Sequence, residues 1–312
     1  MLPFRVTLRG TSSIRAFSTS RVLRNDLSYQ VFGPEKDETS QSPIVFLHGL
    51  FGSKQNNRSI SKALARDLKR EVFILDLRNH GQSFHSKEHT YSAMAEDVVN
   101  FIHQQKLNKC VLIGHSMGAK TAMTVALDSP NLISALIPVD NAPVNAPLKS
   151  DFGKYVRGMQ QIEAQNVAKQ SDADKILKDY EEVSSPVHNA GVVLTAVFHK
   201  FQSLPIRQFL LTNLVRGDHG AMKFRVPVSI LGDALSEMAN FPYAESSSAT
   251  YDGPTLFVRG TKSRYVSDDT IPAIKKFFPK AQIADVEAGH WLISENPEAF
   301  RQKVVTFLQE TP

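Results

Sequence analysis

The chain has 312 residues, 42% of them hydrophobic and 21% charged, which excludes a disordered or fibrous polypeptide and leaves room for one large domain or two modest ones. Its single cysteine, Cys110, excludes an internal disulfide and a Cys-x-x-Cys zinc site, and suits a reducing compartment. The net charge of +5 is confined to the first 25 residues, where Arg5, Arg9, Arg15, Arg21 and Arg24 stand without an acid; the remainder is balanced and gives no electrostatic footprint for nucleic acid.

Residues 1–25, rich in Arg and Ser/Thr, have the composition of a mitochondrial transit peptide, drawn inward by a negative membrane potential. A mitochondrial, matrix location is therefore expected. No apolar run approaches the roughly 18 residues needed to span a bilayer, so no transmembrane segment is expected.

After this leader, apolar runs and helical periodicities alternate. Residues 27–32 and 44–47 read as strands, and 58–69 as a helix with Ile60, Leu64 and Leu68 on one face. Strands follow at 72–75, 110–113 and 135–139, separated by helices at 91–105 and 117–127. Strands apolar on both faces, alternating with helices, predict an α/β fold: a mostly parallel sheet covered on both sides. The pattern lapses between 148 and 247, where helices are expected at 175–183 and 191–201 and no comparable strand. It resumes with strands at 255–258 and 283–286, a helix near 271–278, and a last helix from Pro297, a residue suited to a first turn. The predicted organisation is a core of residues 26–147 and 248–312 carrying a helical cap, 148–247.

The strongest chemical signal is Gly114-His115-Ser116-Met117-Gly118, which follows an apolar strand and opens a helix. That is the setting of a nucleophile elbow, a sharp turn that lifts a serine hydroxyl off the sheet. The N–H of Met117, at the helix start, has no intrahelical partner and is free to face an anion. An earlier turn, His48-Gly49-Leu50-Phe51-Gly52, stands where such enzymes take their second oxyanion donor, which points to the Leu50 N–H. The base in this arrangement comes last in the chain, and His290 of Gly289-His290 meets that order at a strand end. His115 lies inside the elbow, and His80, His85 and His89 carry no catalytic motif.

The acid is harder to place. The turn after strand 255–258 reads Gly260-Thr261-Lys262-Ser263, with serine where a carboxylate would stand. Asp268 and Asp269 look like first-turn helix acids. Asp140, at the end of strand 135–139, lies next to the elbow strand and is favoured over them to fix the imidazole tautomer.

Together with Asp76-Leu77-Arg78-Asn79-His80-Gly81-Gln82-Ser83 and Val139-Asp140-Asn141-Ala142-Pro143, these motifs resemble a branch of the α/β-hydrolases that includes the yeast mitochondrial ethanol acetyltransferases, their mitochondrial hydrolase paralogues and related bacterial esterases. The resemblance spans the core and weakens in the cap. It implies an α/β-hydrolase fold, a triad acid on Asp140, and chemistry on acetyl-CoA and short acyl esters. The expected function is serine-dependent formation of ethyl acetate from ethanol and acetyl-CoA, with thioesterase and short-chain esterase side activities. Acetyl-CoA is then a substrate and no cofactor is required; the partners are small molecules. The alternatives are a mitochondrial carboxylesterase or thioesterase without alcohol transfer, which shares every catalytic residue, and a non-catalytic binding module on the same scaffold.

Overall fold

The computed structural model describes residues 26–34, 41–146, 151–182, 204–217 and 220–311. Short apolar runs, too brief for helices, become the strands β1 (Tyr29–Phe32), β2 (Ile44–Leu47), β3 (Val72–Leu75), β4 (Cys110–His115), β5 (Ile133–Val139), β6 (Leu214–Arg216), β7 (Met222–Phe224), β8 (Thr255–Gly260) and β9 (Ala281–Val286). Seven of them form one sheet in the order β1-β3-β2-β4-β5-β8-β9. All its neighbours pair in parallel except β1, which runs antiparallel to β3 along the edge. The elbow strand β4 lies at the centre, between β2 and β5.

Between the strands run α1 (Arg58–Leu68), α2 (Tyr91–Gln104) and α3 (Met117–Asp128); α9 (Ile271–Phe277) joins β8 to β9, and α10 (Leu292–Glu295) and α11 (Pro297–Glu310) close the chain. Their starts are chemically specified: the Thr90 side chain accepts the Ala93 N–H at α2, and Asn296 accepts the Ala299 N–H at α11, whose first turn holds Pro297. Alternate residues of each strand enter different cores. Ile44, Phe46, Val111 and Ile113 pack with α1 and α11, through Leu64, Phe300 and Val304. Val45, Leu47, Cys110 and Leu112 face the other layer, with Met94 and Val98 of α2 and Met123 of α3. Burial on both faces explains why these strands read as continuous apolar runs.

The cap elements lie between β5 and β8: α4 (Asp151–Ala164), α5 (Gln170–Glu182), α6 (204–211), the hairpin β6–β7, α7 (Val228–Asp233) and α8 (Leu235–Ala239). The expected helix at 175–183 is the larger part of α5; the one at 191–201 lies outside the described residues, as does the leader 1–25. The cap is not wholly helical, because β6 and β7 pair antiparallel. Three-residue strands are too short to show alternation, which is why the sequence did not betray them.

The cap is tied to the elbow layer by polar contacts. Lys120 of α3, buried, donates to the Ala239 and Asn240 carbonyls at 3.0 and 2.8 Å, completing the last turn of α8. Burial pushes the Lys120 ammonium down to about 8. The Tyr91 hydroxyl donates to the Met238 carbonyl at 2.9 Å, and Tyr243 donates to Asp128.

Candidate active site

Ser116 sits between β4 and α3 with φ 55° and ψ −113°, a strained conformation for a residue with a Cβ. The flanking glycines make the turn possible. A Cβ on Gly114 would collide with the Gly118 carbonyl, and one on Gly118 would lie 2.6 and 2.7 Å from the carbonyl oxygens of His48 and Leu47. The elbow is thus pressed against itself and against the end of β2. The Ser116 N–H donates to the Val139 carbonyl at 2.9 Å, and Asn141 donates to the Ser116 carbonyl at 3.2 Å.

His290, on the turn after β9, accepts the Ser116 hydroxyl at Nε2, 2.9 Å away, and donates Nδ1–H to Asp140 Oδ2 at 2.6 Å. Asp140 is fully buried at the end of β5. Its Oδ1 accepts the Gly260 N–H at 3.1 Å, and its Oδ2 also accepts the Ser263 hydroxyl at 2.5 Å. The carboxylate is therefore satisfied from β8 as well as from the imidazole. Asp268 is 83% exposed and paired with Arg259 at 2.6 Å; Asp269 is exposed. The geometry brings together Ser116, His290 and Asp140 and leaves both other acids outside. Ser263, which the sequence shows only as a missing carboxylate, is a donor to the carboxylate that replaces it.

Aromatic rings hold the imidazole in place. The Tyr265 ring stacks on His290 with centroids 4.2 Å apart, and Trp291 meets it edge-on while packing 4.6 Å from Phe209 of α6. Underneath, His115 donates Nε2–H to the His290 carbonyl at 2.8 Å, and burial pushes its imidazole down to about 4. It is a neutral prop beneath His290. Cys110, buried on β4, has its thiol pushed up to about 12 by burial and stays an inert core residue.

The second wall is the turn 49–52, closed by the Gly52 N–H on the Gly49 carbonyl at 2.9 Å. It runs beside Ser116: a Cβ on Gly49 would stand 3.3 Å from the Ser116 Cβ. Among the described residues the Leu50 and Met117 N–H groups meet no acceptor, while the next N–H, of Phe51, is spent on His80 Nε2 at 3.0 Å. His48 mirrors this bond by accepting the Leu77 N–H at 3.0 Å, so two histidines staple neighbouring loops to each other. Both are buried, and burial lowers their pKa, His80 most strongly. Sequence reasoning missed these staples and the roles of Ser263 and Tyr265, because each depends on partners far away in the chain.

A strained serine, an imidazole within hydrogen-bonding reach and a buried carboxylate behind it suit acyl transfer. The family comparison agrees with this geometry: residues 42–297 match the alpha/beta hydrolase fold family. The chain belongs to the α/β-hydrolases. The sn-1-specific diacylglycerol lipase ABHD11 of Mus musculus is 40% identical over 266 residues, 85% of this chain and 80% of the relative. A "Probable alcohol acetyltransferase" of Saccharomyces cerevisiae is 34% identical over 324 aligned positions, covering 98% and 90%. Among solved structures, a marine microorganism esterase superposes with a TM-score of 0.77 at 29% identity, covering 91% of this chain and 99% of its own. This α/β-hydrolase thus has both acyl-ester hydrolases and acetyltransferases among its relatives, as the sequence resemblance implied.

Proposed function

We propose that this chain is a serine-dependent acyl-transfer enzyme that works through an acyl-Ser116 intermediate. The observation that carries the reading is the continuous relay from Asp140 through His290 to the Ser116 hydroxyl, at 2.6 and 2.9 Å. In the first half-reaction His290 Nε2 takes the hydroxyl proton while Oγ bonds to the acyl carbon. The Leu50 and Met117 N–H groups hold the resulting oxyanion. The bond to the alkoxide or thiolate leaving group then breaks, and the imidazolium returns its proton to that group. In the second half-reaction His290 deprotonates the acceptor, which attacks the acyl carbon. The bond to Oγ breaks and the proton goes back to Ser116. Asp140 keeps Nδ1 protonated and steadies the transient imidazolium.

The acceptor distinguishes two readings. With water, the enzyme is an esterase or thioesterase of short acyl groups; the lipase and esterase relatives support the hydrolytic outcome. With ethanol and acetyl-CoA, it forms ethyl acetate; the yeast acetyltransferase relative supports that. Net ester synthesis requires water to be kept from the acyl-enzyme, so the cap decides the partition. No helix among the described residues is long and apolar enough to cross a membrane, and the Arg-rich residues 1–25 support a mitochondrial address. The test is product analysis with acetyl-CoA or a short acetyl ester over a range of ethanol. Ethyl acetate rising with ethanol establishes the transferase, and acetate alone establishes the hydrolase. No Ser116-dependent product from either donor overturns the proposal.

A further inference from the structure

Asn213 joins the cap to the turn that carries the Leu50 N–H. It lies just beyond α6 and before β6, is 97% buried, and donates Nδ2–H to the Phe51 carbonyl at 2.7 Å across 162 residues of sequence. Its own backbone is held within the cap. The Asn213 N–H donates to the Leu210 carbonyl at 3.0 Å, and its carbonyl accepts the Arg225 N–H at 2.8 Å. Wherever this part of the cap goes, the Asn213 amide goes with it.

Its target is an unusual residue. Phe51 has φ 60°, in the left-handed region where a side chain crowds the backbone and glycine is the ordinary occupant. That conformation persists only when the surroundings impose it. Three contacts do so: His80 holds the Phe51 N–H at 3.0 Å, Asn213 holds its carbonyl, and the ring stacks on Phe152 of α4 at 6.2 Å. One grip comes from the core and two from the cap. The residue immediately before Phe51 in this turn is Leu50.

We propose that Asn213 is a positioning residue through which the cap fixes the oxyanion-binding turn, so that the Leu50 N–H is aimed at the developing oxyanion only while the cap is seated. The proposal rests on the acyl-Ser116 reading. An oxyanion donor must be preorganised, because its value lies in not having to move as charge develops. Losing the Asn213 bond leaves the substrate's binding surface in place but frees the turn to relax from its strained state. The deficit therefore falls on the transition state and not on substrate binding.

The experiment compares the full chain with Asn213→Leu, which keeps the size and removes the donor, and with Tyr243→Phe, which deletes one cap–core hydrogen bond remote from the turn while the Lys120 and Tyr91 bonds keep the cap seated. Active sites are first counted with a fluorophosphonate at Ser116, so that rates refer to folded, competent protein. For a short acetyl ester, Asn213→Leu is expected to lower kcat on the order of tenfold, less than the ~10²–10³ that complete loss of an oxyanion donor costs. KM should stay within about twofold, the pattern of an interaction made only in the transition state. Affinity for a trifluoromethyl ketone, which forms the tetrahedral oxyanion, should fall by the same factor as kcat/KM. Tyr243→Phe should keep wild-type kcat per active site. Should Asn213→Leu not fold, Asn213→Ala also removes the donor without adding a charge and is read in the same way. Wild-type kcat and ketone affinity per active site in the variant overturn the proposal. A wild-type chain that neither labels at Ser116 nor turns over an ester overturns the acyl-enzyme reading, and this proposal with it.

Discussion

Two histidine assemblies stand side by side at the C-terminal edge of the sheet, and they use the same side chains for different ends. After β2 and β3, His48 and His80 donate Nδ1–H to the carbonyls of Gly49 and Arg78 at 2.8 and 2.9 Å and accept backbone N–H groups at Nε2. Every ring nitrogen is spent on the backbone, and burial holds both rings neutral. After β5 and β9, His290 faces a carboxylate at Nδ1 and a hydroxyl at Nε2. Replacing a carbonyl by a carboxylate stabilises an imidazolium, and replacing a peptide N–H by a hydroxyl supplies a proton that can move. The carboxylates differ in the same way. Asp76 is closed off by the Lys54 ammonium and by the N–H groups of Lys54 and Gln82, whereas Asp140 spends one of its bonds on the His290 imidazole. Under the proposed acyl-transfer mechanism the first assembly is structural and the second catalytic, and the difference lies in what each ring nitrogen meets.

The largest effect that tests this division is at Asp140. Asp140→Asn keeps the shape and removes the charge, and is expected to lower kcat on the order of 10⁴-fold. Asp268→Asn, at an exposed surface pair, should leave kcat unchanged. Steady-state kinetics on a short ester checks both, and the reverse pattern would move the triad acid.

The structural assembly should fail differently. Lys54→Met leaves Asp76 as an unpaired buried charge and is expected to cost about 3–5 kcal/mol of stability. Denaturant titration measures that loss, while kcat per Ser116 site should stay near the wild-type value. A variant of full stability would show that the Lys54–Asp76 pair does not hold the loops.

Acid should expose the neutral histidines. His48, His80, His89 and His115 all have their pKa lowered from 6.5 by burial, the last two to about 4. Below 6.5 the unfolded chain binds protons that the folded chain refuses, so stability falls as pH drops from there toward 4. His89 and His115 each contribute up to about 1.4 kcal/mol per pH unit in that window, and His48 and His80 act in the same direction. His115→Gln should lessen the slope of stability against pH by about one proton's worth, and an unchanged slope would mean that His115 is protonated in the fold.

Much of the architecture was legible in the sequence because fully buried parallel strands leave a plain mark. The runs Ile44–Leu47 and Val72–Leu75 are strands over the expected residues. β4 runs on to His115, two residues further than its apolar stretch, because Gly114 and His115 continue the pairing with β5 up to the turn. The elbow was readable because glycine is needed where Gly114 and Gly118 meet. Asp140 was reachable by elimination at Ser263, but the hydroxyl's bond to that carboxylate was not, since the two are 123 residues apart. The cap was the least readable part. β6 and β7 have too few residues to show a period, and Asn213 is one polar residue among many until the fold brings it to Phe51.

In the proposed mechanism everything turns on whether Ser116 becomes acylated. The most direct measurement is intact-mass spectrometry after rapid mixing with a short acyl ester and acid quench, with peptide mapping of the adduct. A mass increase of one acyl group is expected on the peptide carrying Ser116, absent in Ser116→Ala. Turnover by the wild-type chain with no adduct at any time, together with unchanged turnover in Ser116→Ala, would contradict it.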